Sequence, residues 1–169
     1  MSRTLPPHHP HAPLTLADLN GPLAPWLPAG ATSLVQALGA PAALALLNGC
    51  PGALIPNVPK SPGSNAHGAV RWAALTDLVG EQAMQRLAQS HGGGVLSVPN
   101  CHALRTERRN RYLRAEFDRL TARPPVGCGL SKNRAVEALV MALAPITYRQ
   151  VEQILDKPSA APVVQGALF

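Results

Sequence analysis

The sequence predicts a mainly α-helical protein: a helical N-terminal domain with short β-strands, followed by a C-terminal helix-turn-helix. Three observations carry this. Hydrophobic residues make up 46% of the 169 positions but aromatics only 4%, so the core is drawn from Ala, Leu and Val. Apolar residues recur at helical spacing in several segments ended by Gly or Pro. Two short apolar runs, Ala-Leu-Ile at 53–55 and Val-Leu-Ser-Val at 95–98, are bounded by turn residues and read as strands.

In chain order, residues 1–28 are rich in Pro and His, show little periodicity and are expected to be a flexible leader. Helices are expected at 32–38 and 41–47, separated by Gly39. Pro41 sits at a helix start and Asn48-Gly49 at a helix end. The strand at 53–55 follows, and residues 61–68, Ser-Pro-Gly-Ser-Asn-Ala-His-Gly, have linker composition. The pattern then recurs. Helices are expected at 72–79 and 81–90 around Gly80, with Ala83, Met84, Leu87 and Ala88 on one face. Gly92-Gly93-Gly94 stops the second, and Pro99 closes the strand at 95–98. Gly39 matches Gly80, Leu46 matches Leu87, and Val58-Pro59 matches Val98-Pro99. The period is about 40 residues with a one-residue slip, and we read residues 29–100 as one domain built by duplicating a helix–Gly–helix–strand unit. Such a duplication lets the first copy fold back on the second and stand in for a partner subunit; a homodimer is nonetheless the expected state, because a lone helix-turn-helix reads too short a site.

The second half has a different character. The net charge is +6, from 15 Lys and Arg against 9 Asp and Glu. Residues 101–125 hold seven arginines (Arg105, Arg108, Arg109, Arg111, Arg114, Arg119, Arg123) against Glu107, Glu116 and Asp118. Most of the excess therefore lies in one segment, the footprint of a polyanion contact. The segment also has helical spacing, with Leu113, Phe117 and Leu120 inward, and Arg123-Pro124-Pro125 ends it. Ser131 can cap a helix through 134–144. After Pro145-Ile146-Thr147 a last helix runs from Tyr148 to about Asp156, with Thr147 and Gln150 spaced as a capping box. Residues 158–169 are expected to be a loose tail.

Two helices joined by three residues, with Val151, Ile154 and Leu155 inward on the second, have helix-turn-helix spacing. The first turn of such a helix reaches base edges while neighbouring cations hold phosphates. The expected DNA-binding residues are Arg105, Arg108, Arg109, Arg111, Arg114, Lys132, Arg134, Thr147, Tyr148, Arg149, Gln150, Gln153 and Lys157. Residues 101–157 form the expected DNA-binding domain. Glu152 and Asp156 also lie on the outward side.

Residues 75–155 resemble the Mor/C family of Mu-like phage transcription activators. The resemblance rests on the glycine-led strand Gly92-Gly93-Gly94-Val95-Leu96-Ser97-Val98-Pro99-Asn100. It rests too on the helix Glu107-Arg108-Arg109-Asn110-Arg111-Tyr112-Leu113-Arg114-Ala115-Glu116-Phe117-Asp118, with a helix-turn-helix after it. The chain has Ser97 where that family has tyrosine, Asn100 where it has lysine and Pro145 where it has a turn glycine. The resemblance implies a homodimer, joined through its helices and strands, that binds an interrupted inverted repeat and activates promoters by touching RNA polymerase.

No P-loop, nucleophile elbow or H-E-x-x-H sequence is present, so no enzyme is expected. Cys50, Cys101 and Cys128 form no C-x-x-C pair and read as reduced thiols. His8, His9 and His11 form a tract of the kind that binds stray divalent metal, and neither a metal site nor a cofactor is expected. The longest apolar run, 40–47, is too short for a membrane span and contains Pro41. With no signal-peptide pattern, a cytoplasmic protein is expected. The alternatives to an activator are a repressor or architectural protein that binds DNA without touching polymerase, and a helical interaction protein whose basic helix is a solvated face.

Overall fold

The computed structural model describes residue 9 and residues 12–63 and 65–157. The described residues are mainly helical, with one two-stranded antiparallel sheet. The chain divides into two compact units, Pro13–Leu104 and a second made of Met1–Ala12 with Arg105–Phe169.

The first unit begins earlier than the leader composition implied. Helix α1, Leu16–Asn20, is started by a capping box: the Thr15 hydroxyl accepts from the Asp18 N–H, and the Asp18 carboxylate accepts from the Thr15 N–H. Leu14, Leu19 and Leu23 are buried. The Asn48 side chain accepts from the Leu14 N–H at 2.8 Å and donates to its carbonyl at 2.9 Å. A 3-10 turn follows at Ala24–Trp26. Residues 13–28 thus belong to the folded first unit, with Leu14, Leu19 and Leu23 in its core, which corrects the expected flexible leader over those positions. Residues 1–8 lie outside the described chain.

Helices α2 (Ala29–Leu38) and α3 (Ala40–Gly49) meet at Gly39; α4 (Ala66–Val79) and α5 (Glu81–His91) meet at Gly80. Helix α4 starts at Ala66 rather than 72, because the Asn65 side chain caps it by accepting from the Gly68 N–H at 2.6 Å. The linker composition therefore conceals a helix start. Strand β1, Leu54–Ile55, pairs with β2, Leu96–Ser97, placing Leu54 opposite Ser97 and Ile55 opposite Leu96. Hydrogen bonds from Val98 to Ala53 (2.8 Å) and from Gly93 to Val58 (2.7 Å) continue the ladder at either end.

The two helix–Gly–helix–strand units pack reciprocally: α2 lies on α3 and α5, while α4 lies on α5 and α3. Residues 41 apart fill matching places in the core, namely Leu34 and Leu75, Ala42 and Ala83, Leu46 and Leu87, all buried. Exposed residues also match at this spacing, Leu54 at the start of β1 at 69% and Val95 just before β2 at 59%. Beyond the strands the spacing becomes 40, and Val58 and Val98 are each 1% exposed. The slip is accounted for by Pro56-Asn57 in the first copy standing against Ser97 alone in the second, with Asn57 in the left-handed region at φ 52°.

The second unit holds most of α6 (His102–Thr121), with α7 (Lys132–Ala142) and α8 (Tyr148–Asp156). Its core is Leu113 and Leu120 from α6, Ala135, Val136 and Leu139 from α7, then Leu143, Ile146 and Val151. Helix α7 stops at Ala142, so residues 143–147 rather than three residues join it to α8. That turn passes through a cis Ala144–Pro145 bond, without a positive-φ glycine.

Candidate nucleic-acid interface

Helix α8 begins as its sequence demands. The Thr147 hydroxyl accepts from the Gln150 N–H at 3.3 Å and the Gln150 side chain accepts from the Thr147 N–H at 2.9 Å. Thr147 and the Gln150 carbonyl oxygen are therefore occupied as caps. Val151 is buried, and Ile154 and Leu155 pack against the same core. With that side anchored, Arg149 and Gln153 are exposed on the opposite side. Tyr148 is 37% exposed, its hydroxyl 3.4 Å from the Asn133 amide oxygen. This contact sets the first turn of α8 beside the start of α7, where Lys132 and Arg134 are both exposed.

The arginines of α6 separate into distinct environments. Arg108 is 3% exposed and its guanidinium donates to the Ala12 carbonyl. Its expected place among DNA contacts is corrected by that burial, since a side chain held inside by a backbone carbonyl has no surface to offer a duplex. Arg111 forms a 2.9 Å ion pair with Glu107, one turn earlier. Arg119 forms a 2.6 Å pair with Glu116. That hydrogen bond holds the Glu116 carboxyl below its ordinary range and raises Arg119 above its own. Arg105 is half-buried.

Arg109 and Arg114 differ from these. Both line a cleft of about 290 Å³ between α6 and α8, together with Gln150, Gln153 and Lys157. The cleft follows from matched helical spacing. Glu107, Asn110 and Arg114 form an i, i+3, i+7 stripe on α6, and Gln150 and Gln153 form an i, i+3 pair on α8 with Lys157 just past its end. Arg114 Nη2 donates to the Lys157 carbonyl at 3.0 Å, placing a cation at the negative end of α8. Arg109 Nε, Arg114 Nε and Nη1, and Asn110 Oδ1 are shielded from solvent with no hydrogen-bond partner. Asn110 is not among the expected contact residues; its i+3 spacing from Glu107 is the sequence signal that marks it.

Other sequence features bear less on this face. Cys50, Cys101 and Cys128 are free thiols, and burial raises the Cys50 thiol above its ordinary range. His9 stacks edge-on against Tyr112 with ring centroids 5.5 Å apart. His8 and His11 lie outside the described residues, and no group able to hold a metal occurs among those described. No described helix is long and apolar enough to cross a membrane. No family model, curated protein or solved structure matches the chain.

Proposed function

We propose that the protein is a sequence-specific DNA-binding transcription regulator that reads duplex DNA with α8, α7 and α8 acting as a helix-turn-helix. The observation that carries this reading is the two-sidedness of α8. Val151, Ile154 and Leu155 are taken up by the core, Arg149 and Gln153 are exposed, and the cations Arg109, Arg114 and Lys157 line one flank. A helix that offers long hydrogen-bonding side chains between phosphate-seeking cations has the composition of a major-groove reader. The resemblance to Mor/C activators supports a role in phage or prophage transcription, with activation through RNA polymerase as its finest form, in the cytoplasm where promoter DNA lies.

Selection of bound fragments from a random duplex library tests the reading. Arg149→Ala should then cost about 1–3 kcal/mol on the selected site and little on random DNA. Equal losses on both would make Arg149 a phosphate contact. A second reading, a helical interaction protein with a solvated basic face, is favoured by the Arg111–Glu107 and Arg119–Glu116 pairs. It expects no duplex binding at all.

A further inference from the structure

The structure assigns the cleft between α6 and α8 as a phosphate-binding site, and we propose that it seats one backbone phosphate of the DNA duplex. This deepens the DNA-binding reading above and rests on it. Three cationic side chains, Arg109, Arg114 and Lys157, line the cleft. The one carboxylate there, Glu107, is held by Arg111 at 2.9 Å, so the cavity is net positive. Its 290 Å³ far exceeds the about 30 Å³ share of one water, leaving room for a phosphodiester group and its hydration.

The second observation is the state of the cations. Arg109 Nε and Arg114 Nε and Nη1 are shielded from solvent without a hydrogen-bond partner. An unpartnered buried donor destabilises the free protein. Those atoms are closed to any ligand, and Arg114 Nη2 is given to the Lys157 carbonyl, so Arg114 supplies charge while the terminal nitrogens of Arg109 and the Lys157 amine are the groups open to phosphate oxygens. Asn110 lines the same cleft. Gln153 is both exposed and part of the cleft lining, so a phosphate seated there lies beside the side of α8 that carries Arg149.

The test uses the full chain, a labelled duplex of random sequence and a series of salt concentrations. Thermal unfolding is followed with and without inorganic phosphate. Arg109→Leu should raise the unfolding midpoint of the free protein and reduce the salt slope by about 0.9, the amount for one lost phosphate. Arg119→Gln, whose guanidinium is committed to Glu116, should leave the slope unchanged. Lys157→Gln, at an exposed position, should also lower the slope and gives the same answer if Arg109→Leu does not fold. A wild-type slope in both Arg109→Leu and Lys157→Gln, with Arg149→Ala still weakening a selected site, overturns the cleft assignment while DNA binding stands. Absence of duplex binding, with inorganic phosphate raising the wild-type midpoint but not that of Arg109→Leu, overturns the duplex as the source and leaves a site for a free anion.

Discussion

Gly39 and Gly80 adopt the same backbone conformation, φ 86° and ψ 155° at one and φ 85° and ψ 156° at the other, each joining two helices of a repeated unit. This region is open essentially to glycine alone. A Cβ at either position would meet nothing within 4 Å, so the constraint is conformational and not a matter of space. Gly39→Ala and Gly80→Ala should each lower stability by about 1–3 kcal/mol, read from denaturant unfolding. A cost near zero at either position would show that the helix junction tolerates another backbone.

The strand pair also belongs to the repeat. Ile55 opposite Leu96 joins the two copies within one chain, whereas the resemblance to phage activators implies pairing between two subunits. We therefore expect sedimentation equilibrium at micromolar concentration to return 17.7 kDa. A stable species of twice that mass would mean that dimerisation persists through another surface.

The repeat was legible because it is written in residues whose physics is unambiguous. A glycine between helical stretches, Leu46 and Leu87 at one register, and Val-Pro after each strand needed no structure to be matched. The short strands and the Thr147 cap were legible for the same reason, since local spacing determines them. Tertiary partners were not. Nothing local in Leu14 announces that Asn48 will satisfy both of its backbone groups, so a segment rich in Pro and His read as leader. Asn65 caps a helix from within a run that otherwise looks like linker. For the candidate interface, the sequence supplied the arginines but could not sort them. Arg108 and Arg109 are neighbours in charge and in chain, yet one is held by a backbone carbonyl and the other lines an open cleft.

That difference predicts opposite behaviour. Arg108→Met removes a charged donor from the Ala12 carbonyl and should cost about 1–3 kcal/mol of stability, with the salt slope of DNA binding unchanged. A slope that falls with Arg108→Met would return this residue to the interface.

The Glu116–Arg119 pair gives a pH dependence of known sign. Hydrogen bonding to Arg119 holds the Glu116 carboxyl below its ordinary value in the folded protein. The pair's contribution is therefore present above the ordinary carboxylate range and is lost as pH falls through the lowered folded value. The Arg119 and Glu116 side chains are 53% and 27% exposed, so the contribution is small. Glu116→Gln should flatten that part of the acid limb in pH-dependent unfolding. An acid limb unchanged by the substitution would show that the pair carries no linkage.

Binding of wild-type protein to duplex DNA at 50 and 200 mM salt tests the central claim most directly. With Arg108 buried and Arg111 and Arg119 paired, about 3–5 phosphate contacts remain for the cations around α8. Affinity should then fall about 40- to 500-fold across that range. No binding to any duplex at 50 mM salt, or an affinity indifferent to salt, would contradict the account and leave the basic helix a solvated face.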